Sequence, residues 1–264
     1  MVNFPLKDHY EYSDLLKIVR LLRAPGGCPW DGEQTHASIR RNFIEEVYEV
    51  CEAIDNDDPD GLREELGDVL LQVVFHADIE REAGRFTQSD VCDAVCRKLI
   101  LRHPHVFGDV QADTTEQVLT NWDEIKRREK HQTSYTDTLR AVAVSLPALW
   151  RADKLISKAE KAGFAWPDME SALGKLSEEV GELENAAAGN GNVEEELGDV
   201  LFGAVCAGRQ FGLDPETALR AACEKFISRF SRMEQTAAET GRSFSELSPD
   251  EQGKLWEKIK HEPD

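Results

Sequence analysis

Glu64-Glu65-Leu66-Gly67-Asp68-Val69-Leu70 recurs letter for letter as Glu195-Glu196-Leu197-Gly198-Asp199-Val200-Leu201. Upstream of the two copies lie Glu45-Glu46-Val47-Tyr48-Glu49 and Glu178-Glu179-Val180-Gly181-Glu182. Downstream, Lys98 to Arg102 is echoed by Lys225 to Arg229, and Trp122 to Lys126 by Trp256 to Lys260. Four elements in one order and at nearly constant spacing mark a tandem duplication. The 264 residues are therefore one short module written twice, not one large domain. The copies are expected at 1–131 and 167–264. A helical connector is expected at 132–166, beginning with the Ser/Thr-rich stretch from Gln132 to Thr138.

The module reads as all-α. Leu15-Leu16-Ile18-Val19-Leu22 and Val69-Leu70-Val73-Val74-Ala77 have the i, i+3, i+4 spacing of amphipathic helices, and no segment alternates as a strand does. Ser248-Pro249-Asp250-Glu251 spells a capping box, and Asp214-Pro215-Glu216 opens a helix in the same way. Thr87 precedes another helix ending near Arg102. Breakers at Asn56–Gly61, Gly84, His103-Pro104, Gly189–Asn192 and Gly212 leave short loops, as in helical bundles.

Charge narrows the partners. Against 31 Lys and Arg stand 51 Asp and Glu, a formal net charge of −20. Such a chain repels nucleic-acid polymers at long range and cannot serve as a polybasic membrane anchor. The longest near-apolar stretches, Val69–Phe75 and Ala141–Trp150, fall short of the ~18–20 residues of a membrane span. The first residues lack the apolar core of a signal peptide, so a cytoplasmic location is expected. The six cysteines form no CxxC pair and are expected to be reduced core thiols.

The carboxylates point to chemistry. On a helix, Glu46 and Glu49 project together, flanked by Glu45, and Glu179 and Glu182 do so flanked by Glu178. Glu65 with Asp68, and Glu196 with Asp199, add pairs one turn apart on the next helix. A short loop makes the two helices antiparallel, so the carboxylates meet and repel unless they hold protons or cations. All-oxygen donors favour Mg²⁺, or Mn²⁺, over zinc or copper. A ferritin-like di-iron centre needs two E-x-x-H motifs, and the acidic helices carry none.

Basic and aromatic residues suggest what the metal serves. Lys98 and Arg102, like Lys225 and Arg229, stand four apart on one helix. Trp122 with Lys126, and Trp256 with Lys260, also share a face. Cations beside a metal suit a triphosphate, and an aromatic ring suits a base. No P-loop is present. A non-catalytic helical regulator that binds a nucleotide or a protein is the alternative.

The paired E-E-x-x-E and E-x-x-D signatures resemble those of the MazG-type all-α nucleoside triphosphate pyrophosphohydrolases, the tandem-domain members above all. Gly27-Cys28-Pro29-Trp30-Asp31, Arg102 to Phe107, Leu146 to Leu149 and Lys161 to Trp166 extend the likeness over nearly the whole chain. The resemblance implies a bundle that dimerises to complete each site. It implies Mg²⁺-dependent hydrolysis of nucleoside triphosphates to monophosphate and pyrophosphate, with many bases tolerated. Carried over, the metal ligands would be Glu178, Glu179, Glu182, Glu196 and Asp199 in the second copy. Those of the first would be Glu45, Glu46, Glu49, Glu65 and Asp68. Lys175, Lys225, Arg229, Trp256 and Lys260 match the nucleotide-contacting set, with Lys98, Arg102, Trp122 and Lys126 as their counterparts. Asn42 stands where the second copy has Lys175, which favours the second copy as the main catalytic site. A second-copy carboxylate not fully committed to metal, Glu179, would then act as base.

Overall fold

The computed structural model describes residues 4–261. The described residues are helical with no strand, and contacts divide the chain into two compact units, residues 1–126 and 127–264. The first holds α1 (Tyr12–Arg23), α2 (Pro29–Glu33), α3 (His36–Asp55), α4 (Pro59–Glu82), α5 (Gln88–Arg102) and α6 (Pro104–Phe107). α7 (Thr115–Glu129) runs across the division. The second holds α8 (Tyr135–Arg140), α9 (Ala148–Lys161), α10 (Met169–Asn185), α11 (Val193–Gln210), α12 (Pro215–Glu239) and α13 (Pro249–Lys260). The expected starts are present. Thr87, Asp214 and Ser248 cap α5, α12 and α13 with side-chain acceptors, and Pro215 and Pro249 occupy first-turn positions where no N–H is needed.

Each unit is built on a hairpin. α3 packs along α4 in the first, and α10 along α11 in the second. A leading helix then lies across the second arm of the hairpin, α1 on α4 and α9 on α11. Val19 of α1 is buried with Ile39, Val74 and Phe75, while Ile156 of α9 is buried with Val205 and Cys206. Trp166, from the Lys161–Trp166 segment, packs on that second core. α9 thus does for the second unit what α1 does for the first.

The brace between leading helix and hairpin is conserved in place but reversed in sign. In the first unit the buried Asp78 of α4 faces Arg20 and Arg23 of α1 at 3.6 and 3.9 Å, and Arg23 reaches Glu82 at 2.8 Å. In the second unit Arg209 of α11 takes the place of Asp78, ten residues after the matching aspartate. It pairs with Asp153 and, at 2.6 Å, with Glu160 of α9. Arg23 and Glu160 each stand three residues before a glycine with left-handed backbone, Gly26 at φ 84° and Gly163 at φ 90°.

The thiols are free, but most are not core groups. Cys206 is buried, and burial pushes its thiol up to about 11. Cys92, Cys96 and Cys223 are exposed, because α5 and α12 each present a broad outer face that no described element covers.

Reversing Arg209 alone to glutamate leaves Asp153 and Glu160 facing a like charge. A loss of roughly 1.5–3 kcal/mol is expected in chemical denaturation, the scale of hydrogen bonds to charged groups. Combining Arg209→Asp with Glu160→Arg, the first unit's arrangement, is expected to restore most of it.

Candidate functional site

The hairpin loops set the register of the acidic helices. α3 is capped at its C-terminus by Asn56, and the chain turns through Asp57, a non-glycine residue at φ 51°, into Asp58. The Asp58 side chain accepts from the backbone N–H groups of Asp60 and Gly61 at 3.2 and 3.1 Å and so starts α4. In the second copy α10 runs into a π-helical turn, Ala186–Asn190, whose Gly189 adopts φ 96°. Asn192 then caps α11 by accepting from Glu194 N–H at 3.1 Å.

These hairpins bring carboxylates together twice. Oxygens of Glu46, Glu49 and Glu65 lie within 4.8 Å of one another, as do oxygens of Glu179, Glu196 and Asp199. The copies choose different third members, Glu49 in one and Asp199 in the other. The remaining predicted residues stand close by. Desolvation, and then the charges of Asp68 and Glu49, raise the carboxyl of Glu46; desolvation and Glu49 raise that of Glu65. Glu182 is raised chiefly by the charge of Glu179, then by desolvation and, further down, by Glu196. Glu45 points into an exposed pair with Arg41 at 2.8 Å, and Glu178 accepts from Lys175 at 3.0 Å. Those two sit at the edge of their clusters, not inside them.

Two features distinguish the second copy. Lys175 bridges Glu178 and Glu179, at 3.0 and 2.9 Å, and both hydrogen bonds raise its ammonium above the ordinary lysine value. The second feature is a close helix contact that the sequence reading overlooked. Gly203 of α11 faces Leu176 and Glu179, so that a Cβ there would lie 3.5 Å from the Leu176 Cα and 3.8 Å from the Glu179 Cγ. This approach leaves Glu179 only 9% exposed, the most enclosed carboxylate of either cluster. The first copy has Gln72 at that position, and its Glu46 is only half-buried. An isolated glycine inside an apolar helical run was the available signal.

The cation and ring positions are also duplicated. The Arg102 guanidinium lies over the Trp122 ring at 5.6 Å, and Arg229 lies over Trp256 at 5.9 Å. Trp122 also takes His103 edge-on at 4.9 Å, whereas Trp256 faces Phe226 at 5.7 Å. Lys98 and Lys225 are exposed on α5 and α12, and Lys260 pairs with Glu257 at 3.9 Å. These residues stand on helices other than those that carry the carboxylates.

A family model described as the MazG nucleotide pyrophosphohydrolase domain matches residues 34–107 and again 168–233, one match on each carboxylate hairpin. The chain belongs to the MazG nucleotide pyrophosphohydrolase family. It is 43% identical to the nucleoside triphosphate pyrophosphohydrolase/pyrophosphatase MazG of Thermotoga maritima, over 94% of this chain and 95% of that one. It is 40% identical to the nucleoside triphosphate pyrophosphohydrolase of Escherichia coli K12, over 94% and 96%. A protein so named from Mycobacterium tuberculosis is 43% identical over 57% of this chain and 45% of its own. The two matches to one family model agree with the duplication read from the repeats.

Three like charges within one cluster are tolerable when a cation or protons neutralise them. A divalent ion fits this donor set, and members of the family generally depend on one. Because the carboxyls of Glu46, Glu65 and Glu182 are raised, an ion displaces protons from them in mildly acid solution. Calorimetric Mn²⁺ titration near pH 5, in two buffers of different ionisation heat, is therefore expected to show proton release that fades by pH 7. Raised carboxyl values also mean that the ion-free clusters oppose folding more as pH rises, so added divalent ion is expected to raise the melting temperature most at neutral pH.

Proposed function

We propose that the chain hydrolyses nucleoside triphosphates to nucleoside monophosphate and pyrophosphate, with the second copy as the main catalytic site. The observation that supports this most directly is the twofold carboxylate cluster on the hairpins that match the family. Water oxygen joins the α-phosphorus, the bond from that phosphorus to the α–β bridging oxygen breaks, and pyrophosphate leaves with the bridging oxygen. The ion assigned is Mg²⁺, with Mn²⁺ as substitute, held by Glu178, Glu179, Glu182, Glu196 and Asp199. The first copy offers Glu45, Glu46, Glu49, Glu65 and Asp68. When bound, such an ion neutralises triphosphate charge and lowers the pKa of a coordinated water.

The protein's own groups do the rest. Glu179, the most enclosed carboxylate, is assigned as the base that takes the proton of the attacking water. Lys175, Lys225, Arg229 and Lys260 hold the phosphates, and the Trp256 face receives the base. Lys98, Arg102, Trp122 and Lys126 are the first copy's set. A ring that stacks on a base reads no hydrogen-bonding edge, which supports acceptance of many bases. The first copy lacks the Lys175 ammonium, having Asn42 there, and is assigned the weaker role.

A homodimer is the assembly we assign. Beside each acidic set, matching leucines face solvent: Leu66 is 51% exposed and Leu197 47%, with Leu70 and Leu201 also exposed. Large apolar side chains repeated on one helix face suit closure by a second copy. Among the described residues no helix is long and apolar enough to cross a membrane. The assigned compartment is the cytoplasm.

The deciding assay supplies Mg²⁺ and a nucleoside triphosphate and measures pyrophosphate and orthophosphate separately. Pyrophosphate in step with monophosphate is expected; orthophosphate alone would exclude α–β cleavage. Glu179→Ala and Asp199→Ala are expected to lose at least about 100-fold in kcat, the span of general acid–base contributions, and Glu46→Ala to keep most activity. A greater loss from Glu46→Ala would reverse the ranking of the copies. Leu197→Asp with Leu201→Asp is expected to shift the mass in light scattering from dimer to monomer.

A further inference from the structure

His36, the first residue of α3, meets α4 through a chain of polar contacts that the reaction does not use. Its Nδ1 lies 2.7 Å from Nδ1 of His76, and its Nε2 lies 2.5 Å from Oε1 of Glu80. Glu80 is buried and also accepts from Nε and Nη2 of Arg85, the second at 2.7 Å. The imidazole rings are inclined by only 9°, with centroids 5.0 Å apart. That separation exceeds the nitrogen–nitrogen distance by the two ring radii. Both nitrogens therefore lie on the line between the centroids, and the rings stand end to end in one plane.

End-to-end lone pairs define what lies between them. An ion between them would need about 2 Å to each nitrogen, about 4 Å across, so nitrogens 2.7 Å apart leave it no place. A proton suits them, because an N–H donor prefers a straight path to its acceptor. We propose that His36 and His76 form a proton-sharing clasp that fastens the start of α3 to α4, and that acid opens it in the first unit alone.

The proton count fixes the behaviour. The Nε2–H of His36 is donated to Glu80, which leaves three ring nitrogens for further protons. With one proton on the Nδ1–Nδ1 line the pair is neutral. One more proton settles on the outer Nε2 of His76, and the pair becomes a singly charged dimer facing the Glu80 carboxylate. A further proton must place N–H groups on both facing nitrogens, and the rings then part. Burial and the charge of His36 hold His76 below the ordinary imidazole value of 6.5, in line with that resistance. Glu80 stays ionised throughout, since hydrogen bonds from Arg85 and His36 bring it to about 2.

The charged groups that act on the pair are Glu80 and Arg85. On the helices packed around α4, Arg20 and Arg23 of α1 and Arg81 of α4 itself face Asp78 and Glu82. Asp90 of α5 accepts from Thr87. Phe43 covers His76 from α3 at 5.6 Å between centroids. The second copy has Met169 and Ala207 where the first has His36 and His76, so it has no such clasp.

The sign of the pH effect follows. In the unfolded chain both imidazoles take protons near 6.5, whereas the clasped pair refuses the last one. Stability of the first unit is therefore complete above that pH and falls as the solution is acidified below it. Imidazole ¹⁵N spectra of the intact protein test this. A scalar coupling between the two Nδ1 nuclei and two separated titration steps are expected; independent single steps without coupling would overturn the proposal. Hydrogen exchange, expressed as protection factors, supplies a second reading. Between pH 7.5 and 5.5 the first turn of α3 is expected to lose protection by up to about tenfold, because one refused proton costs at most about tenfold per pH unit below 6.5, while α10 keeps its own. His76→Phe is expected to abolish that difference, and His36→Gln gives the same reading should His76→Phe fold poorly. Parallel loss in α3 and α10 would overturn the proposal.

Discussion

Repulsion between carboxylates is the constraint on which the architecture rests. Each hairpin holds three acidic side chains with oxygens inside 4.8 Å, an arrangement that opposes folding unless something neutralises it. Helix packing on the far side of each hairpin must supply what the acidic side withholds. The leading helices do so, with Val19 and Ile156 entering the two cores and ion pairs closing over them. Under the proposed function the net charge of −20 is no bar to an anionic substrate, because the carboxylate clusters within it would attract cations.

The sign reversal of the brace has a consequence for a chain made of two similar modules. A leading helix brought to the other unit's hairpin would set Arg23 against Arg209, or Glu160 against Asp78. Like charges at a partly buried contact disfavour the wrong pairing more than a lost attraction does. Apolar packing cannot make that distinction, since Val19 and Ile156 are nearly interchangeable in shape. Charge separates what the core cannot.

The all-α class, the helix starts and the duplicated acidic sets could be read from the sequence because each is a local pattern. Caps at Thr87, Asp214 and Ser248 depend on the next three residues alone, and E-E-x-x-E fixes a helix face without knowledge of neighbours. The features that escaped depend on two helices at once. Gly203 matters only because Leu176 and Glu179 lie opposite, and His36 and His76 meet only through the register of α3 on α4. Exposure was misjudged for the cysteines for the same reason: apolar spacing on α5 and α12 shows an amphipathic face, not whether anything covers it.

Divergence between the copies follows from these two-helix contacts. A glycine on α11 lets the helices close and encloses Glu179, while Gln72 on α4 keeps Glu46 half open. Lys175 adds a cation where the first copy has an amide. The first copy instead spends its hairpin contact on an imidazole pair and a buried glutamate. Duplication preserved the acidic signature in both. The residues facing it from the opposite helix were free to diverge, and they decide how deeply each carboxylate is buried and what charge it meets.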